Sequence, residues 1–73
     1  QRGAAAHEVL IAAFQQALKV NPDFAKAHEG LGLLYARQQR ASEAIRHLRA
    51  AVRLDPTRGE AAQALARLSA RPP

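Results

Sequence analysis

The sequence predicts an all-α fold of about four helices, arranged as a fragment of an αα-hairpin repeat solenoid, and two observations favour it. The first is composition: 48% of the 73 residues are hydrophobic, alanine dominates that share, and no segment alternates apolar and polar residues as a half-buried strand does. The second is an internal period, because the turn sequence Asn21-Pro22 recurs in similar form as Asp55-Pro56.

The first two helices are predicted over residues 4–20 and 25–38, on either side of the Asn21-Pro22 turn. A helix rarely continues through the residue before a proline, so this turn separates them. Helical spacing in the second segment places five residues on one face. These residues are Ala27, His28, Leu31, Leu34 and Tyr35. We therefore expect this face to pack into the core.

The third helix is predicted over residues 42–54, with Ser42 as its N-cap. The fourth is predicted over residues 59–70, with Thr57 and Glu60 as a capping box at its start. Six apolar residues of the third helix are expected to be buried. They are Ala44, Ile45, Leu48, Ala51, Val52 and Leu54.

Small residues are placed where the second and third helices should meet. Gly32 is expected to face Ala44 and Ala51, so that the two backbones can approach closely. The sequence therefore predicts a tight helical hairpin around these three positions.

Eight residues within the 34-residue period that separates the two turns follow the spacing of a known repeat signature. They are His28, Leu31, Gly32, Tyr35, Ala44, Leu48, Ala51 and Pro56. This pattern resembles the tetratricopeptide repeat, whose signature is W-x2-L-G-x2-Y followed by A-x3-F, a further Ala and a closing Pro. Two positions depart from it, since His28 replaces the usual Trp and Leu48 replaces the usual aromatic residue.

The resemblance implies that residues 1–73 form one domain. A full repeat would span residues 25–58, with half-repeats at residues 4–20 and 59–70 and a short tail at residues 71–73. It also implies a protein–protein interaction module and not an enzyme.

In this family the first helix of each pair lines a concave groove that holds the partner. In this sequence the groove would be lined by the face of the second predicted helix that points away from the core. The equivalent residues of the last helix lie 34 positions later. The predicted groove residues are Lys26, Glu29, Leu33, Arg37, Glu60, Gln63, Arg67 and Arg71. Because the cations among them outnumber the anions, we expect a protein or peptide partner with acidic or amphipathic character.

Side chains suited to catalysis or metal binding form no recognisable arrangement. The sequence has no cysteine, and its three histidines lack the spacing of a zinc site, which needs three or four converging ligands. We expect His28 to pack within the hairpin, and His7 and His47 to lie on the surface. No hydroxyl residue has a base spaced to activate it. We therefore predict no catalytic residue, no metal and no cofactor.

The net charge of +5 makes nucleic acid and anionic lipid alternative partners. Arg46, Arg49 and Arg53 would form one stripe on the third helix that could meet phosphates. No aromatic residues interleave with them to stack on bases, and no apolar stretch approaches the roughly 18 residues of a membrane span. A solvated helix face is the favoured interpretation.

The first helix is apolar on a side where a repeat array would place another helix. Leu10 stands one repeat period before Ala44, so a bulky residue occupies a position where close packing requires a small one. Two explanations are open: earlier repeats precede this segment in the parent protein, or the open face pairs with a second copy in a homodimer. Leu10, Phe14 and Ala17 are the residues predicted to form that face.

Overall fold

The computed structural model describes the backbone of residues 2–70 and the side chains of residues 6–70. Four helices occupy most of this length, and no strand occurs within it. They are α1 (Arg2–Val20), α2 (Ala25–Arg37), α3 (Ala41–Leu54) and α4 (Gly59–Ser69). The prediction of an all-α, four-helix chain is confirmed, with helix ends displaced by one or two residues.

Each helix packs against the next, and α4 also contacts α2. The core is built mainly from leucine and alanine, since Leu31 of α2 and Leu48 of α3 are the largest fully buried side chains. The buried cluster comprises Ile11, Leu31, Leu34, Tyr35, Ala44, Leu48, Ala51, Ala61 and Ala64. Because alanine is so frequent in it, the helices can lie close together and the domain is thin.

Gly32 of α2 lies in close contact with α3. A β-carbon at Gly32 would lie 2.5 Å from Leu48 Cγ and 3.2 Å from the Ala44 carbonyl oxygen. Real β-carbons essentially never lie within 3.0 Å of such an atom, so a larger residue at Gly32 would force Leu48 or the hairpin to shift. The predicted close contact between Gly32 and Ala44 is confirmed, and Leu48 supplies the nearest side chain.

The 34-residue period appears in the turn chemistry as well as in the helices. Asn21 Oδ1 accepts a hydrogen bond from the Asp23 amide at 3.2 Å, and Asp55 Oδ1 accepts one from the Thr57 amide at 3.2 Å. Both are Asx turns, in which a short side chain closes the turn in place of the backbone. The same geometry therefore leads the chain into α2 and into α4.

The turn between α2 and α3 is a Schellman motif. The Gln39 amide donates to the Ala36 carbonyl at 3.0 Å, and the Arg40 amide donates to the Tyr35 carbonyl at 2.9 Å. This geometry requires a left-handed residue, and Gln39 has a φ of 61°. The backbone carbonyls at the end of α2 are thereby satisfied within a connection of three residues.

Both sequence-based cap assignments are wrong. Helix α3 begins one residue earlier than Ser42 and has Arg40 as its N-cap, with no side-chain hydrogen bond. Helix α4 has Arg58 as its N-cap, also without a side-chain bond. Thr57 is unavailable because its hydroxyl donates to Asp55 Oδ1 at 2.6 Å. That bond, with the Thr57 amide, lowers the pKa of Asp55.

Helix α1 packs on α2 through Phe14. A β-carbon at Gly30 would lie 2.5 Å from Phe14 Cζ, so the ring sits where Gly30 leaves space for it. The prediction that Phe14 faces away from the domain is therefore wrong. Ala17 is half-buried, whereas Leu10 is exposed as predicted.

Candidate partner-binding groove

A cavity of about 470 Å³ opens on the surface between α2 and α4. Its lining residues come from only these two helices. They are Leu33, Ala36 and Arg37 on α2, with Glu60, Ala64, Arg67 and Leu68 on α4. Four of the eight residues predicted for the groove, Leu33, Arg37, Glu60 and Arg67, thus line a single cavity.

The apolar part of the cavity follows from helical spacing. Leu33 and Ala36 are three residues apart on α2, and Ala64 and Leu68 are four apart on α4, so each pair shares one helix face. Ala64 is buried, while the other three are half-buried. Leu33, Ala36 and Leu68 therefore remain partly accessible, and a partner can contact this apolar surface.

Charged residues lie at the ends of the two helices that form the cavity. Arg37 is in the last turn of α2, Arg67 is in the last turn of α4, and Glu60 is in the first turn of α4. These positions agree with the helix dipole, which favours cations at the C-terminal end and anions at the N-terminal end. Arg37 and Arg67 are both exposed. The cavity thus carries two cations and one anion.

The other predicted groove residues have different surroundings. Lys26 and Gln63 are exposed but do not line the cavity. Glu29 is committed to an ion pair within the chain. Arg71 lies outside the described residues.

Arg58 is the partner of Glu29, and no sequence pattern indicated this pairing. Its Nη1 donates to Glu29 Oε1 at 2.8 Å, and the two side chains are only 28% and 14% exposed. Arg58 Nε also lies 3.3 Å from Asp55 Oδ2, close enough for charge attraction but without hydrogen-bond alignment. The pair ties α2 to the residue that precedes α4, and so it helps to fix the two walls of the cavity.

His28 of α2 and His47 of α3 form a hydrogen-bonded pair, and neither of them lines the cavity. Their Nδ1 atoms are 3.1 Å apart, and His28 Nε2 lies 2.9 Å from the Pro22 carbonyl oxygen. A carbonyl only accepts, so His28 carries its proton on Nε2 and His47 donates from Nδ1 when both rings are neutral. His28 packs within the hairpin as predicted.

The prediction that His47 lies on the surface is wrong. It is half-buried, and its ring lies 5.7 Å from that of Tyr35. Burial, followed by the neighbouring His28 and Arg46, lowers the pKa of His47. Within residues 6–70, no group of three or more histidine, aspartate or glutamate side chains is arranged to hold a metal ion.

The arginine stripe on α3 lies on the surface, since Arg46, Arg49 and Arg53 are all exposed. Among the helices described, none is long and apolar enough to cross a membrane.

The fold and the groove define the class of this chain as an α-helical hairpin-repeat protein. A protein-family model for the tetratricopeptide repeat matches residues 11–59, which is more than half of the chain and includes the whole of residues 25–58. The chain therefore belongs to the tetratricopeptide repeat family. Repeats of this family generally mediate protein–protein interaction. No curated protein matches the sequence.

Proposed function

We propose that this chain is a non-enzymatic protein-interaction module that binds a peptide segment of its partner between α2 and α4. The observation that supports this most is the cavity in which Leu33, Arg37, Glu60 and Arg67 meet. The proposed binding unit is one domain, with the full repeat at residues 25–58 between two half-repeats.

The size and lining of the cavity favour a peptide with a large apolar side chain. Its volume of about 470 Å³ falls within the range of about 300–1,000 Å³ that is typical of binding pockets. Leu33 and Leu68 offer the apolar contact, and buried apolar anchors supply most of the affinity in interfaces of this kind. We therefore expect an aliphatic or aromatic anchor residue to bind between these two leucines.

The charges around the cavity favour an acidic residue near that anchor. Arg37 and Arg67 each present a guanidinium group, which pairs well with a carboxylate. Glu60 adds one anion, so a peptide that carries both signs also fits. An amphipathic peptide with an excess of acidic residues combines these features.

The composition of selected ligands tests this proposal. A displayed library of random peptides is selected on the chain, and the enriched peptides are measured by isothermal titration calorimetry. We expect them to combine one large apolar residue with Asp or Glu, and we expect conversion of the acid to its amide to weaken binding. Enriched peptides that are basic, or whose affinity does not change on conversion to the amide, would contradict the proposal.

Leu33 provides a second, independent arm of the same experiment. Leu33→Asp places a charge in the apolar part of the cavity and should abolish measurable binding of the enriched peptide. The matched control is Ala66→Asp, at an exposed α4 position that does not line the cavity. If the control reduces binding as much as Leu33→Asp does, the peptide lies elsewhere.

A further inference from the structure

The charged residues of the cavity are separated along its length. Glu60 lies in the first turn of α4, and Arg67 lies in the last turn of the same helix. They are seven residues apart, and an α-helix rises about 1.5 Å per residue, so the two positions are about 10 Å apart along the helix axis. The anion and this cation therefore lie at opposite ends of one wall.

Arg37 lies at the same end of the cavity as Arg67. The connection between α2 and α3 is three residues long and that between α3 and α4 is four, and connections this short make consecutive helices antiparallel. Helices α2 and α4 consequently run in the same direction. The ion pair between Glu29 and Arg58 sets their register. Counted from this pair, Arg37 is eight residues along α2 and Arg67 is nine residues along α4, whereas Glu60 is only two.

All three charges are accessible to a ligand. Glu60, Arg37 and Arg67 are exposed, and the ion pairs within residues 6–70 connect other residues. Glu29, the nearby acid of α2, is held by Arg58 and does not line the cavity. A basic residue of a ligand therefore has Glu60 as its carboxylate partner among the lining residues.

The apolar part of the cavity lies between the two charged ends. Leu33 is four residues along α2 from the Glu29–Arg58 pair, and Ala64 is six residues along α4. Both positions fall between Glu60 and the two arginines. A ligand that contacts all three parts therefore presents a basic residue, an apolar anchor and an acidic residue in that spatial order.

The spacing of the helices favours an extended ligand over a helical one. Helices α2 and α4 are in direct contact, and packed helices have axes about 8–10 Å apart. A helix with its side chains is about 10–12 Å across, so it would lie above the cavity and not within it. An extended chain advances about 3.3 Å per residue, so about three residues cover the distance between the charged ends.

We propose that Glu60 makes the cavity selective for the spacing of charges in an extended partner segment. A basic residue binds at Glu60, and an acidic residue about three positions away binds at Arg37 and Arg67, with the apolar anchor between them. This inference rests on the proposed function and adds to it the order and spacing of the charges.

Parallel selection from one displayed library of random peptides tests the inference. The library is selected on the wild-type chain, on Glu60→Lys and on Glu8→Lys, after circular dichroism has confirmed that each is folded. Glu8 is the matched control, because it is an exposed acid of α1 that does not line the cavity. We expect wild type and Glu8→Lys to enrich a basic residue about three positions from an acidic one. Glu60→Lys should enrich the acidic and apolar residues without that basic residue.

The peptide enriched on the wild-type chain then measures the contact itself. Replacement of its basic residue by alanine should weaken binding to the wild type roughly two- to fivefold, as expected for an exposed ion pair. The same replacement should leave binding to Glu60→Gln unchanged. Conversion of its acidic residue to the amide should weaken binding to both proteins, because Arg37 and Arg67 remain in each.

The outcomes separate this inference from the proposed function. Enrichment of acidic and apolar residues without a spaced basic residue would overturn the inference alone. A spacing of about seven residues, as in a helical ligand, would also overturn it. So would an equal loss on wild type and Glu60→Gln when the basic residue is replaced. Peptides that combine no acidic residue with an apolar one would contradict the proposed function as well.

Discussion

Gly32 of α2 lies directly against Leu48 of α3, where an added β-carbon would stand 2.5 Å from Leu48 Cγ and 2.7 Å from Cδ2. Leu48 is completely buried, so it has little freedom to move aside. The absence of a side chain at Gly32 therefore lets the two helices pack this closely at Leu48.

Gly32→Leu should destabilise the fold because it overpacks this contact. The expected loss in free energy of unfolding is about 1–3 kcal/mol, the usual cost of inserting bulk into a packed core. Urea denaturation followed by circular dichroism measures it. Gly59→Ala is the matched control: a β-carbon there meets no atom within 4 Å, and stability should stay the same or rise by up to about 1 kcal/mol. Equal effects of the two changes would contradict the close-packing account.

Glu29→Gln should also destabilise the fold, because it removes the negative charge that partners the half-buried guanidinium of Arg58. We expect a loss of about 1–2 kcal/mol, between the values for an exposed pair and for a buried charged hydrogen bond. The variant should also weaken peptide binding, since the pair connects the two helices that line the cavity.

The ion pair between Arg40 and Glu43 is the natural comparison for this effect. It links positions three residues apart and is more exposed than the Glu29–Arg58 pair. Glu43→Gln should destabilise the fold less than Glu29→Gln does and should leave peptide binding unchanged, because exposed ion pairs contribute little. A larger loss for Glu43→Gln than for Glu29→Gln would mean that burial does not strengthen the Glu29–Arg58 pair.

Stability should fall as the pH drops below about 6.5, the usual pKa of histidine, because His47 has a lowered pKa in the folded chain. In that range the unfolded chain binds a proton that folded His47 does not, and the resulting slope is at most about 1.4 kcal/mol per pH unit. The slope ends once the pH falls below the folded pKa. Burial is the main cause that opposes the charge on His47; His28 and Arg46 add to it, and Glu43 partly offsets them.

Denaturation between pH 5 and pH 8 measures this dependence, with His47→Gln and His7→Gln as a matched pair. His47→Gln should flatten the curve. His7→Gln changes a histidine of α1 that does not belong to the His28–His47 pair, so this variant should retain the slope. The same slope in wild type and His47→Gln would show that His47 is not the titrating group.

The helices and their closest contact could be predicted because they depend on periodic patterns. The regular spacing of the two turns indicated the number of helices, and the small residues Gly32 and Ala44 indicated where α2 and α3 meet. Local hydrogen-bond competition was harder to predict. Thr57 fits the capping pattern, but its hydroxyl donates a hydrogen bond to Asp55 and does not cap α4.

Contacts between distant residues left no sequence signal. Phe14 packs at Gly30 because a glycine leaves room there, and that is visible only once α1 and α2 are placed side by side. Arg58 and Glu29 are 29 residues apart and belong to no repeat signature. Half of the predicted groove residues line the cavity because the repeat register places them on facing helices. Glu29 does not line it, and its carboxylate pairs with Arg58 instead.

The affinity of a selected peptide for two double variants tests the central proposal most directly. Arg37→Glu with Arg67→Glu alters the cavity, whereas Arg46→Glu with Arg49→Glu makes the same change in net charge on exposed positions of α3. Fluorescence anisotropy should show at least about tenfold weaker binding for the first variant and less than about threefold for the second, because charges at a distance are largely screened. Equal losses, or a larger loss for the α3 variant, would contradict binding between α2 and α4.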